Sequence, residues 1–254
     1  MTHEGSHAAK RHPALALSEW ERGIVVTSAD DPSVAMYLWF WEWNMFGAFD
    51  AGQHTHGEFE NVRTVARDGL SATIATRHGM SISLEIGSHG VDLDLVVTNV
   101  SRREWSCLAS IVPCFSPGPE GAGAEQFRST PISFVGVDGF DRLSAREIHF
   151  NEELRAKVDA AGDSTARFAW SDKWPTAHDN ATSGLMTRES SDTRWVTGIA
   201  WERFLSAQGN NPWDCMHLAV QIGPLEPDET RNVRGRIYLF TGTKEDLLAI
   251  ETAR

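Results

Sequence analysis

The stretch VDLDLVV, from Val91 to Val97, places an apolar residue at every second position and ends at the turn residues Asn99-Val100-Ser101. Successive side chains of a β-strand point to opposite faces, so the apolar side chains at alternate positions share one face. A two-residue period predicts a strand with a buried face rather than a helix.

Similar strand patterns, separated by turn residues, recur along the whole chain. No alternation of strands with helices is present, which disfavours a parallel α/β fold. The other predicted strands are Val34–Trp43, Thr73–Thr76, Met80–Ile86, Cys107–Phe115, Ile132–Val137, Arg146–Phe150, Ala166–Trp170, Gly184–Arg188, Trp195–Trp201, Met216–Ile222 and Val233–Phe240.

Only two segments have helix signals: Asn151 can cap Glu152–Asp159, and Thr243 opens a capping-box pattern before Leu247. The prediction is an all-β fold, a large antiparallel β-sandwich of the supersandwich type with one or two short helices. A cupin-like β-barrel is the alternative. Residues 1–13 are predicted to be a disordered tail, and residues 14–254 a single domain.

Composition restricts the partners of this 254-residue chain. Its net charge of −12 argues against nucleic acids and anionic membranes, which select clustered Lys and Arg. No stretch approaches the roughly 20 apolar residues of a membrane span. We expect a small-molecule or oligosaccharide substrate and no nucleic-acid or membrane partner. A homo-oligomer is compatible with the sequence.

The three cysteines, Cys107, Cys114 and Cys215, match no CxxC metal or redox pattern. Cys114 and Cys215 lie in apolar, strand-like contexts, where a free cysteine behaves as a small buried hydrophobe. The N-terminus lacks the apolar run of a signal peptide. These features predict free cysteines and a cytoplasmic location.

The densest aromatic stretch is YLWFWEWN, from Tyr37 to Asn44. On a strand, Tyr37, Trp39, Trp41 and Trp43 share a face, on which sugar rings could stack. We predict Trp41 and Trp43 as substrate-binding residues, with core packing as the alternative. Glu42 is a candidate general acid or base, because a carboxylate among apolar neighbours is costly unless it is paired or protonated.

Three further candidates follow in the run GQHTHGEF, residues 52–59. In an extended segment His54, His56 and Glu58 point the same way, and two imidazoles with a carboxylate suit a divalent metal such as Zn, Fe, Cu or Mn. The run resembles the cupin pattern of HxH plus Glu, with a shorter spacing before the Glu. The alternative is a polar loop whose histidines hydrogen-bond a substrate or transfer protons.

The run QGNNPWDCMH, residues 208–217, reads as a loop that enters a strand. Amides, a carboxylate and an indole are the groups that bind polyols, so Asn211, Trp213 and Asp214 are predicted substrate-binding residues. His217 is a candidate catalytic residue, with a core histidine as the alternative. Cys215 and His217 are expected to share a strand face.

A second polar loop, Lys173–Asn180, also carries an indole and an imidazole. Its Trp174 is a predicted substrate-binding residue, and its His178 is a secondary catalytic candidate.

Two stretches carry a resemblance to a known family. Val91–Ser101 with Trp105, and Ile222–Thr230 leading into Arg234–Phe240, resemble strand patterns of galactose-mutarotase-like β-sandwich proteins, over about Leu70 to Phe240. The resemblance implies a sugar-processing sandwich that uses a His and a carboxylate for proton transfer. In this chain the resemblance implies His217 as the histidine and Glu42 or Glu58 as the carboxylate.

These observations give three hypotheses of function. The leading one is a carbohydrate-active enzyme that transfers protons on a sugar or glycoside, as lyases, epimerases and hydrolases do, in a Trp-lined groove. A divalent metal could assist by polarising an oxygen. The alternatives are a non-catalytic sugar-binding module and a cupin-type, metal-dependent oxygenase or isomerase of a small metabolite.

Overall fold

The computed structural model describes residues 14–40, 61–76, 79–119, 125–161 and 174–254. Their regular structure is mostly antiparallel β-strand, arranged in one nine-stranded and two four-stranded sheets. This confirms the predicted all-β sandwich class. Within these ranges each sheet is open at both edges, so the described strands do not form the alternative cupin-like barrel.

The large sheet has antiparallel neighbours throughout. The stretch that predicted the fold forms one of its inner strands, Gly90–Thr98, which is buried at alternate positions. Across the sheet the strands are β11 (Gly139–Arg142), β10 (Ile132–Gly136), β13 (Leu185–Glu189), β14 (Trp195–Trp201), β17 (Thr230–Thr241), β7 (Gly90–Thr98), β6 (Met80–Gly87), β5 (Ser71–Thr76) and β4 (Asn61–Val65).

The two smaller sheets meet through one antiparallel bridge between Phe115 and Met216, and we call them together the small layer. Each of these two residues donates its N–H to the carbonyl of the other, at 3.1 and 2.8 Å. The first sheet contains β1 (Leu15–Trp20), β2 (Gly23–Ser28), β3 (Ala35–Trp39) and β9 (Cys114–Ser116), and the second contains β12 (Ile148–Phe150), β15 (Phe204–Gln208), β16 (His217–Gln221) and β8 (Ser110–Ile111).

The main core lies between the large sheet and the small layer. Leu95 of β7 and Ile82 of β6 share one buried apolar cluster with Leu38 of β3 and Phe115 of β9. The residues next to Leu38 and Phe115 along the chain point away from this core. Among them, Tyr37 and Trp39 form a separate cluster with Cys114 and Cys215. We call this second side the outer face of the small layer.

Both predicted helices are present. Asn151 accepts a hydrogen bond from the Glu153 N–H at 2.9 Å and begins a 3₁₀ turn (Glu152–Leu154) that continues into α1 (Arg155–Ala161). Thr243 and Asp246 form the capping box of α2 (Lys244–Thr252), at 3.2 and 3.0 Å. None of the helices in the described ranges is both long and apolar enough to cross a bilayer.

The two stretches that carry the family resemblance are neighbours in space. β7 pairs with β17 from Val91 opposite Ile237 to Thr98 opposite Thr230. Beyond the ends of these strands, Trp105 forms a bridge with Leu225. The buried Asn99 amide donates to the Leu225 carbonyl at 3.0 Å and so fixes the two turns together.

The predicted strand Cys107–Phe115 is wrong in its extent. The chain forms only the short strands β8 and β9 there, separated by Val112-Pro113, because proline has no N–H to donate to a ladder. The predicted tail 1–13 and the predicted strand Ala166–Trp170 lie outside the described residues. The single-domain organisation stays a prediction.

Candidate functional site

The expectation that Cys114 and Cys215 are free is wrong, because they form a disulfide with their Cα atoms 5.7 Å apart. They are 101 residues apart in sequence, and the bridge between Phe115 and Met216 brings them together. Cys107 is the free cysteine in the described ranges. Structural disulfides persist mainly in oxidising compartments, so the cysteines no longer support the cytoplasmic location, which stays a prediction.

His217 begins β16 beside this disulfide and is fully buried. A ligand nitrogen of its imidazole and the two cysteine sulfurs all lie within 4.8 Å of one another. The imidazole also stacks on Trp174, with ring centroids 6.1 Å apart and an interplanar angle of 27°. The structure therefore brings together two of the predicted site residues, His217 and Trp174, beside the disulfide.

The aromatic residues at the end of β3 lie on the same outer face. Trp39 and Tyr37 each contact Trp20 edge to face, with centroids 5.2 Å apart, and they pack with both cysteines of the disulfide. Trp39 is 6% exposed. Core packing, the alternative given for this aromatic run, is what the structure shows for these two residues.

A different tryptophan faces solvent: Trp213 is 62% exposed. It lies in residues 209–216, which we call the Trp213 turn. Asn211 organises this turn, because its side-chain oxygen accepts from the N–H groups of Trp213 and Cys215 at 3.1 and 3.2 Å. The Asn211 amide donates to the Cys215 carbonyl at 2.8 Å. The indole is therefore displayed by a turn that buried hydrogen bonds hold in place.

Asp214 fixes the other side of the Trp213 turn. Its carboxylate pairs with the buried Arg188 at 3.3 Å and accepts from the Ser129 N–H at 3.1 Å. The Arg188 guanidinium also donates to the carbonyls of Asp214 and Thr130, at 3.0 and 2.7 Å. Burial lowers the pKa of Arg188, and the Asp214 carboxylate opposes this shift.

Unusual backbone conformations concentrate at this turn. Five non-glycine residues in the described ranges have a positive φ, and three of them, Asn210, Asp214 and Ser129, meet here with φ of 52°, 56° and 58°. Such conformations cost free energy and are found most often where a site must be held in one geometry. Two predicted substrate-binding residues stabilise this backbone: Asn211 bonds its own turn, and the Asp214 carboxylate accepts from the Ser129 N–H.

Other predicted site residues are placed as follows. His178 is exposed in the loop after Trp174. The nearby His149 is buried, donates from its Nδ1–H to the carbonyl of Asp179 across 3.2 Å, and has its pKa lowered by burial. The catalytic candidate Glu42, the stacking candidates Trp41 and Trp43, and the metal candidates His54, His56 and Glu58 lie outside the described residues.

A polar cleft of about 470 Å³ lies elsewhere, between α2 and the start of β15. Its walls include Glu152, Glu202, Arg203 and Glu251. Trp201 also lines it but is only 2% exposed, so it offers no ring face to a ligand. Phe204, the other aromatic residue of the lining, is 7% exposed, so the cleft offers little aromatic surface on which a sugar ring could stack, and the Trp213 turn is the better candidate.

Local sequence does not reveal the partners of two site residues, Asp214 and Cys215. Arg188 and Asp214 are 26 residues apart, and nothing in their local sequence indicates that they pair. The pairing of Cys114 with Cys215 is not indicated by the local sequence either. Two local signals do point to this site: the polar and aromatic composition of residues 208–217, and the spacing of Cys215 and His217, whose side chains the structure brings together within 4.8 Å.

No family model matches the chain, and no curated protein matches it. Solved structures do match. A galactose mutarotase-like protein from Lactobacillus casei is 8% identical, with a TM-score of 0.36, and the match covers 89% of this chain and 100% of that chain. A candidate aldose 1-epimerase from Escherichia coli K12 is 9% identical, with a TM-score of 0.31, covering 92% and 81%. The chain has a weak architectural resemblance to galactose-mutarotase-like proteins, and similarity at this level carries no information about its chemistry.

Proposed function

We propose that this chain is a carbohydrate-processing protein that binds a sugar at the Trp213 turn. The observation that carries the proposal is the display of Trp213, an indole 62% exposed on a turn held by Asn211 and Asp214. A large apolar ring that stays exposed on a polar turn contributes little burial free energy to folding. A ligand contact therefore best explains its position.

The groups around Trp213 suit a neutral polyol. Indole rings pack on the C–H faces of sugars, and the turn is flanked by hydrogen-bonding groups. Arg128 lies 4.0 Å from the Asp214 carboxylate and is partly exposed, which places a cation at the edge of the turn. The net charge of −12 disfavours polyanionic ligands over uncharged ones.

The catalytic part of the proposal is acid–base proton transfer, as the sequence predicts for His217. His217 follows the Trp213 turn directly, and the Cys215 sulfur lies 3.7 Å from the Trp213 carbonyl and within 4.8 Å of a ring nitrogen of His217. Turnover distinguishes this proposal from a non-catalytic sugar-binding module. Two observations favour the second candidate, the non-catalytic sugar-binding module: His217 is fully buried, and the polar groups of Asn211 and Asp214 are engaged with protein atoms.

The test is a panel of monosaccharides and oligosaccharides screened by thermal shift, with NMR on each sugar that binds. We expect at least one sugar to raise the melting temperature and to be converted. Trp213→Ala should weaken its binding about tenfold or more, which corresponds to about 1.4 kcal/mol. A sugar that binds but is never altered leaves only the module.

Val137→Ala is the matched control, since Val137 is 75% exposed in the turn between β10 and β11 on the large sheet. It should bind the sugar as the unchanged chain does. Equal binding by Trp213→Ala and the unchanged chain would refute the proposed site.

A further inference from the structure

We propose that reduction of the Cys114–Cys215 disulfide creates a metal site, in which the two thiolates and the His217 imidazole bind Zn²⁺. This inference goes beyond the proposed function and does not depend on sugar binding. It concerns residues different from His54, His56 and Glu58, for which the sequence predicts a metal.

The strand register places the three ligands on one face. Phe115 and Met216 exchange both backbone hydrogen bonds, so the residue before Phe115 lies opposite the residue after Met216. Cys114 is therefore opposite His217, and Cys215 lies two residues before His217, just ahead of β16. All three side chains point to the outer face, whereas Phe115 and Met216 point into the main core.

The distances fit a shared ion. One ligand atom from each residue lies within 4.8 Å of the other two. Zn²⁺ binds thiolate sulfur at about 2.3 Å and imidazole nitrogen at about 2.0–2.1 Å, so two of its ligand atoms are typically under about 4 Å apart. Only small side-chain movements are needed once the sulfur–sulfur bond is broken.

Burial explains why a metal would be retained. Cys114, Cys215 and His217 are all fully buried. Two thiolates without compensating charge are costly in such surroundings. A divalent cation neutralises them, and thiolate with imidazole is a ligand set that Zn²⁺ prefers. Three protein ligands leave a fourth coordination position for water or another ligand.

The reaction that opens the site balances with a dithiol reductant. The dithiol becomes a disulfide and supplies two electrons and two protons, and the bond between Cys114 and Cys215 breaks to give two thiols. Zn²⁺ then replaces both thiol protons, which pass to solvent as two Zn–S bonds form. The two roles of His217 thus belong to different redox states: proton transfer with the disulfide formed, and metal binding with it reduced.

The experiment uses the full chain, reduced with a phosphine, which takes the oxygen of a water molecule as the two sulfurs gain protons. The reduced chain is freed of metal and titrated with Co²⁺, whose thiolate complexes absorb in the near ultraviolet. We expect these bands to saturate at a single Co²⁺ per chain, to disappear when Zn²⁺ is added, and to be absent from the oxidised chain.

Variants identify the ligands. Cys114→Ser should abolish the thiolate bands or weaken binding strongly. His217→Gln should weaken binding by more than about 100-fold, because even residues that only orient a ligand cost 10–100-fold. Cys107→Ser is the matched control and should bind as the unchanged chain does, since Cys107 is outside the cluster. Binding that survives Cys114→Ser, or is lost in Cys107→Ser, contradicts the site.

Circular dichroism of the reduced, metal-free chain accompanies the titration. If the reduced chain stays folded and gives no thiolate bands, the proposal is overturned. If it unfolds, Zn²⁺ must restore the spectrum of the folded chain, and failure to do so overturns the proposal equally. A sugar-binding result has no influence on either outcome.

Discussion

Two tryptophan-bearing regions of this molecule have opposite surroundings. Trp39, at the end of β3, is 6% exposed and packs with Tyr37 and the disulfide, whereas Trp213 is 62% exposed on its turn. Every residue of β3 is buried, because the main core packs against one face of this strand and the cluster around the disulfide packs against the other. Trp213 has polar and turn-forming neighbours on both sides. The comparison teaches that the described part of the aromatic run, which ends at Phe40, serves packing, whereas an isolated indole among turn residues is left at the surface.

The largest effect is expected at the buried member of this pair. Trp39→Ala should lower the free energy of unfolding by about 3 to 5 kcal/mol, the range for large aromatic residues removed from a core. Urea denaturation of the oxidised chain measures it. A loss below about 1 kcal/mol would show that Trp39 is not packed as described.

Trp39→Phe tests whether the contribution of Trp39 to stability comes from the packing of its ring. The Trp39 indole N–H is buried and has no hydrogen-bond partner in the described ranges. Phe keeps most of the ring and removes this donor, so it should cost far less than Ala. Equal losses for the two variants would contradict a role based on packing.

A smaller effect is expected where the exposed tryptophan is anchored. Asp214→Ala leaves the buried Arg188 without its carboxylate and the Ser129 N–H without its acceptor. Loss of one partner of a buried pair costs about 3–5 kcal/mol, and we expect about 2 to 3 kcal/mol here because Asp214 retains partial exposure and Arg188 keeps two carbonyls. The measurement is the shift of the urea midpoint.

Asp192→Ala is the control for that variant, since Asp192 pairs with Arg194 at 2.6 Å on the surface. Exposed ion pairs contribute little to stability. The comparison would fail if Asp192→Ala proved as destabilising as Asp214→Ala.

The smallest effect is expected at Trp213 itself. Trp213→Ala should change the free energy of unfolding by no more than about 0.5 kcal/mol, as surface substitutions do, while sugar binding is weakened as stated above. Thermal and urea unfolding in the absence of ligand test this. Destabilisation above about 1 kcal/mol would mean that the indole supports the fold and would remove the argument for a ligand contact.

Much of the fold could be predicted from the sequence because its signals are local. The two-residue period of Val91–Val97 defines β7, and the capping pattern at Thr243 defines the start of α2. The candidate site was predictable only in part. Asn211, Trp213 and Asp214 were identified by composition, but whether each faces solvent or protein depends on contacts with distant residues such as Arg188.

The pairing of Cys114 with Cys215 could not be predicted at all. A disulfide depends on which strands are neighbours, and the local sequence around each cysteine is that of an ordinary buried strand. The bridge between Phe115 and Met216 decides the pairing, and it joins the two sheets of the small layer. Long-range strand order is the information that local periodicity lacks.

The cross-link makes a covalent loop of the chain between Cys114 and Cys215. In the part of that loop that the structure describes, four strands belong to the large sheet: β10, β11, β13 and β14. Hydrolysis of one peptide bond inside it leaves both pieces attached to each other, at the high effective concentration of a tethered pair. A nicked molecule should therefore migrate as one species in a denaturing gel without reductant and as two after reduction.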